Sequence, residues 1–274
     1  LTNGSAKVWR IVQQQGYRAG RYGIHFRDEN TLRPAQASLH TTRVFNGTGV
    51  ADTGASSTSS YSAAQTGTAP QTYKISHAPS LGFMAAAISG RAFHVETTQF
   101  AASIQGLFQS DIYRTWSGGS MAYRLLAYMQ ARGFGWALRT LGQAIAISPD
   151  TDPMQAEFSS HLDQTVQYNH ARYVAQAHNP IGWMTEYTPD LSPQIVGGPM
   201  LGQPFMQDFI MQAMGYMRHL VADNITKSSK LMAWYDWAAT SIVGRVGGTG
   251  ATEHLYRDAA NAYPIGLSPA TYPN

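Results

Sequence analysis

The sequence predicts an all-α fold of antiparallel helical hairpins, preceded by an irregular N-terminal segment. Three observations carry this. From residue 73 onward, apolar runs of helical length alternate with breaks rich in Gly and Pro. Asp152-Pro153-Met154-Gln155 is a helix start, with Asp at the cap, Pro at the first position and Gln where a capping box wants it. Residues 46–72 consist almost wholly of Gly, Ala, Ser, Thr, Asn and Gln, which fill no core.

Taken in order, residues 1–45 mix short apolar pieces (Val8-Trp9, Ile11-Val12, Ile24-His25-Phe26, Val44-Phe45) with Gly and Arg, and are expected to be irregular or strand-like. Residues 46–72 are expected to be a flexible linker, and 73–274 a helical-hairpin domain. Within that domain Pro79 precedes an apolar run over Leu81–Ser89, closed by Gly90, and Ala92–Phe108 forms the next helix. Met121–Ile147 follows as a long apolar helix ended by Ser148-Pro149-Asp150. The capped helix runs from Asp152 to about Ala177. Pro204–Val221 and Ser228–Val246 are the last strong helices, and a helical turn is expected near Glu253–Ala262. Such hairpins either close into an (α/α) toroid or stack as an open solenoid, and no 34- or 40-residue repeat supports a repeat array.

Composition narrows the class. The 274 residues contain no Cys and only 13% charged residues, against about 25% in an ordinary soluble domain. With 43% hydrophobic residues this is not a disordered chain. No apolar stretch of about 18 residues occurs, so no membrane span is expected. Residues 1–45 hold seven basic and two acidic residues, whereas residues 46–274 hold 12 and 14. The positive balance is therefore an N-terminal, mostly Arg, feature, and nucleic acid is the least supported partner. The chain begins at Leu1, as a processed or truncated product would.

Several residues carry candidate chemistry. His77, ahead of a Pro-led helix, suits proton transfer near neutrality or a sugar-hydroxyl contact; a loop-packing histidine is the alternative. Arg132, Trp136 and Arg139 fall at i, i+4 and i+7, on the face opposite Phe134, Leu138, Leu141 and Ile145. An Arg–aromatic–Arg stripe suits a uronate carboxylate and a stacked sugar ring, or equally an Arg ladder capping carbonyls of a neighbouring hairpin. Asp208 follows Pro204, where the helix dipole favours an acid. Asp111 and Glu186 lie in breaks between helices, Glu186 bracketed by Trp183 and Tyr187 in the amphipathic mix of a sugar subsite. Hydrolysis of a glycoside would need two carboxylates about 5–9 Å apart. The nine His residues lack metal-ligand spacing, and no phosphate-binding loop or cofactor motif occurs.

Three stretches together suggest a family. They are Ser76-His77-Ala78-Pro79-Ser80-Leu81-Gly82-Phe83, then Gln130 to Leu141 (QARGFGWALRTL) leading to Ile147-Ser148-Pro149-Asp150, then Gln203 to Phe209 (QPFMQDF). In order and spacing they resemble the (α/α) toroid domains of bacterial polysaccharide lyases and related secreted or phage-borne proteins, over roughly residues 73–246. The resemblance implies binding or cleavage of an acidic polysaccharide by β-elimination. A Tyr or His would take the proton beside the uronate carboxylate while Arg, Asn or Gln neutralises that carboxylate. His77, Arg132 and Tyr168 are then the catalytic candidates, and Trp136, Arg139, Trp183, Glu186 and Asp208 the substrate-binding ones. No cofactor and no metal is implied, and the place of action would be extracellular, at a cell surface or on a virion. The alternative is a non-catalytic structural or adhesive subunit that uses the helices as a scaffold, with other copies as partners.

Overall fold

The computed structural model describes residues 4–40, 43–45, 50–52, 73, 77–107, 131–175, 182, 200–202, 204–225, 228–246 and 265–267. Among these the fold is all-α. Its helices are α1 (Ala6–Tyr17), α2 (Phe83–Ser89), α3 (Ala92–Leu107), α4 (Ala131–Ile147), α5 (Pro153–Asn169), α6 (Pro204–Val221) and α7 (Ser228–Val246). Two ribbons accompany them. Strand β1 (Arg43–Phe45) pairs antiparallel with β2 (Val50–Asp52), and β3 (Met200–Gly202) with β4 (Ile265–Leu267).

The expectation of an irregular or strand-like N-terminus is corrected over Ala6–Tyr17, which is helical. Ser5 caps it by accepting a hydrogen bond from the Val8 amide at 3.4 Å. Val8, Ile11 and Val12 stand at i, i+3 and i+4, which is helical spacing. The expected linker carries strand β2; its remaining residues lie outside those described, as does the turn near Glu253–Ala262.

The helical pairs follow from local signals. Helix α2 starts at Phe83, later than the apolar run, because Gly82 takes the N-cap position at φ 76°. A Cβ there would come within 2.6 Å of the His94 carbonyl oxygen, so only glycine fits. Pro79 therefore lies ahead of the helix and not in its first turn. Gly90 ends α2 in the left-handed conformation at φ 63°. Asp152 caps α5, accepting from the Met154 amide at 2.9 Å with Pro153 behind it. The same carboxylate accepts from Arg33 at 2.6 Å and Gln99 at 3.1 Å, tying the N-terminal segment and α3 to this cap. Helix α5 opens into a single π turn at His170–Val174.

Helix α4 is the hub, packing against α2, α3, α5 and α6. Its approach to α6 is close: a Cβ at Gly135 would stand 2.8 Å from the Phe209 carbonyl oxygen. The main core joins Phe134, Leu138, Leu141 and Ile145 of α4 to Phe158 and Leu162 of α5, Met214 and Met217 of α6, and Trp234 of α7. A second core joins Phe100, Ile104 and Leu107 of α3 to Ile24, Phe45, Tyr73 and Leu81. The N-terminal segment thus shares a core with the helices.

Polar clamps hold it there. The Arg27 guanidinium grips Glu96 of α3 with two hydrogen bonds of 2.5 and 2.6 Å and lies 5.0 Å over the Phe100 ring. The Ser38 amide and hydroxyl donate to Glu157 of α5 at 3.0 and 2.5 Å. Asp28 accepts from the Asn30 and Thr31 amides and sits 2.6 Å from His40 Nε2.

Candidate functional site

The face of α4 opposite its core residues carries Arg132, Trp136 and Arg139, all half-buried, because the segment 77–80 is laid along it. Arg132 Nη2 donates to His77 Nε2 at 3.2 Å. Arg has no acceptor, so this bond exists only while His77 Nε2 is unprotonated. Seven residues further along, Arg139 Nη2 donates to the Ala78 carbonyl at 2.8 Å, and its guanidinium lies 4.5 Å from the Trp136 ring. Four residues on again, Gln143 accepts from the Ser80 hydroxyl at 2.7 Å and donates to Tyr216 of α6 at 3.4 Å. Residues 77, 78 and 80 are thus docked in turn on 132, 139 and 143.

The stripe is polar through to the interior. Burial lowers the pKa of Arg139 from its ordinary value, against the opposing influence of Tyr73 and Tyr216. Tyr73 is wholly buried, and burial pushes its phenol from 10.0 up to about 12, although Gln105 donates to it at 2.7 Å. Gln105 also donates to the Thr140 hydroxyl at 3.2 Å. Among the described residues, Arg139 Nε and Gln105 Oε1 are buried without a hydrogen-bond partner.

Trp136 connects this stripe to a groove. Its ring meets Phe209 edge-on with centroids 5.0 Å apart, and Phe209 meets Phe205 at 6.4 Å. Both phenylalanines line an open groove of about 620 Å³ between α6 and α7, together with Asp208, Gln212, Tyr235 and Ile242. Arg218 lies 5.3 Å over the Tyr235 ring.

The structure therefore brings His77, Arg132, Trp136 and Arg139 together and sets Asp208 across Phe209 in the adjoining groove. Asp208 is exposed and is the fifth residue of α6, so it lies beyond the first turn where the dipole acts most strongly. Tyr168 is buried near the end of α5. Trp183, Glu186 and Asp111 lie outside the described residues.

Sequence reasoning missed Tyr73, Ser80, Gln105, Gln143 and Tyr216. One signal was present: Gln143 continues the stripe of Arg132, Trp136 and Arg139 at i+11. The contact partners of Tyr73 and Gln105 depend on long-range packing and leave no local trace. Among the described residues, no three His, Asp or Glu side chains are grouped to hold a metal ion, and no helix is long and apolar enough to cross a membrane.

No protein-family model matches the chain, and no curated protein matches it either. What the site does therefore rests on its chemistry.

Proposed function

We propose that the chain binds an acidic polysaccharide along the outer face of α4 and the groove beside it, and cleaves it by β-elimination, within the helical toroid that the resemblance implies. The supporting observation is the His77–Arg132 contact at 3.2 Å beside a Trp136–Phe209 aromatic platform. A uronate carboxylate would take over the Arg132 fork, whose donors match its geometry. Its exchange with Arg132 frees His77 Nε2 to take the proton from the carbon beside that carboxylate. The electron pair left behind forms a ring double bond as the bond to the glycosidic oxygen breaks, and that oxygen leaves as a hydroxyl on taking up a proton. Trp136 and Phe209 would stack neighbouring sugar rings. Arg139, already joined to Ala78 and Trp136, is given the role of holding segment 77–80 in place.

The test is incubation with a panel of uronate polymers, following the ultraviolet absorbance of the unsaturated product and measuring binding in parallel. Product from at least one polymer is expected, abolished by His77→Ala, with binding weakened by Arg132→Ala. No product from any polymer, together with binding untouched by either substitution, overturns the reading.

One observation favours a second reading, that of a structural or adhesive subunit at a cell surface or on a virion. Leu32 is 68% exposed at the tip of a tight turn and has φ 56°, a strained conformation for leucine. The turn is built to hold it: the Leu32 amide donates to the Asp28 carbonyl and its own carbonyl accepts from Arg27. A defined large assembly in solution, dissociated by Leu32→Ser, supports this reading; a strict monomer removes it.

A further inference from the structure

Helix α1 rests on a polar seat built round one buried histidine. His94 of α3 is wholly buried, and α1 packs over it and is itself buried at Gln13 and Gly16. The hydrogen bonds fix the tautomer of the ring. A carbonyl only accepts, so the Gln13 amide nitrogen is the atom that faces the Ala85 carbonyl, at 3.3 Å. Gln13 Oε1 is thereby turned to His94 Nε2 at 2.9 Å and accepts a hydrogen bond from it. The ring carries its hydrogen on Nε2, and Nδ1 keeps a bare lone pair. Among the described residues, Nδ1 is buried without a hydrogen-bond partner. Its surroundings are backbone and hydrocarbon. A Cβ on Gly16 would stand 2.6 Å from Nδ1 and 2.7 Å from the Ala85 methyl, and the Tyr17 and Phe93 ring centroids lie 4.9 and 5.3 Å from that of His94.

A second proton on this ring would find no counter-charge. Helices α1 and α2 contain no acidic residue. The acid of α3, Glu96, stands two positions on, at a different side of the helix, and is gripped by Arg27. The titratable and charged groups that face the ring are Tyr17 of α1 and Arg91 of the α2–α3 turn, whose Nη1 donates to the Tyr17 hydroxyl at 2.6 Å. Lys7 and Arg10 of α1 are exposed, and α2 supplies the Ala85 methyl and carbonyl. An imidazolium here would be a buried cation beside a guanidinium, with its Nδ1 donor unmatched. Burial and the Arg91 charge accordingly hold the pKa of His94 below its ordinary 6.5.

We propose that His94 is the latch of an acid-released helix: α1 stays seated while the ring is neutral, and a second proton on Nδ1 frees α1 from α2 and α3. The sign follows from the seat. His94 binds fewer protons with α1 seated than with α1 lifted, so the seat holds at full strength above pH 6.5 and weakens as the pH falls through that value. The weakening is about tenfold for each pH unit, until the seated ring itself titrates. Little apolar burial opposes release, since the residues α1 buries are Gln13 and Gly16. Release stops at the turn that follows, Arg18–Arg21, because Ala19 is wholly buried in the second core. A helix of 12 residues is marginal by itself in water, so α1 unwinds once free. The proposal does not depend on the polysaccharide reading, because the residues concerned are different.

The experiment is amide hydrogen exchange of the whole chain at pH 7.5 and pH 5, with each rate divided by the intrinsic rate at that pH. Protection across residues 6–17 should fall at least about fivefold in acid, while the core amides of α4 stay protected. His94→Gln keeps a donor for Gln13 but takes no second proton, so its α1 should be equally protected at both pH values. Gln13→Glu sets a carboxylate against the ring and should reverse the sign, with protection rising as the pH falls. Wild-type protection that is the same at both pH values overturns the proposal. So does an equal loss across α4, which is global unfolding, or a loss in His94→Gln as large as in the wild type. If His94→Gln leaves α1 unprotected at both pH values, Gln13→Glu decides: protection that rises in acid upholds the latch, and protection that is level or falls overturns it.

Discussion

Replacing Glu157 by Gln tests how the N-terminal segment is fastened to the helices. The Glu157 carboxylate is buried on α5, which by itself would push its pKa up. The His161 ring, 3.2 Å from Oε1, and the Ser38 hydroxyl and amide overcome that and bring it from the ordinary 4.5 down to about 2. A difference of this size favours the ionised form in the folded state by roughly 3 kcal/mol. The sign follows from the direction. A carboxyl whose folded pKa is depressed contributes its full stability above the unfolded value, near 4.5, and loses it as the pH falls toward about 2. Denaturant unfolding of wild type and Glu157→Gln at intervals from pH 6 to pH 2 measures the difference. At pH 6 the variant should be less stable by about 2–3 kcal/mol, since Gln keeps one acceptor for Ser38 but loses the charge. The two stabilities should converge as the pH reaches 2. Parallel profiles, separated by the same amount at every pH, would refute the claim that the ionised carboxylate fastens Ser38.

Gly135→Ala should destabilise by about 1–2 kcal/mol in chemical denaturation, because the Cβ meets the Phe209 carbonyl at 2.8 Å and overpacking outweighs the gain in helix propensity. Gly215→Ala, whose Cβ would meet Tyr235 at an ordinary 3.4 Å, should stabilise by up to about 1 kcal/mol in the same assay. Asp152→Ala removes the α5 cap and an acceptor for Gln99, and should lower stability by about 2 kcal/mol, while Arg33→Ala, half-exposed at the same site, should lower it by less than about 1 kcal/mol. Arg139→Met keeps the packing of the stem but loses the Ala78 carbonyl; hydrogen exchange should quicken across residues 77–81 while the α4 core amides stay protected.

The helices were legible where a local signal and an apolar period coincide. Asp152-Pro153 marks the start of α5, Gly90 the end of α2, and Pro204–Val221 and Ser228–Val246 appear as α6 and α7 with those bounds. The same i, i+4, i+7 spacing sorted Arg132, Trp136 and Arg139 from Phe134, Leu138 and Leu141, and the structure buries the second set completely. Helix α1 escaped because its β-branched residues and absent first-turn acids resemble short strands, and because it does not bury its apolar period.

What the sequence determined by itself is therefore the helical class, most helix ends and the division of α4 into two faces, since capping and periodicity act within a few residues along the chain. What tertiary structure alone decided is which strangers meet: Ala78 against Arg139, Ser38 against Glu157, Tyr73 against Gln105, and Gln13 against His94. Each of those contacts joins residues 32 to 119 positions apart. Such pairings are chosen by how whole faces pack and how buried polar groups find partners, and neither is written in the spacing of neighbouring residues.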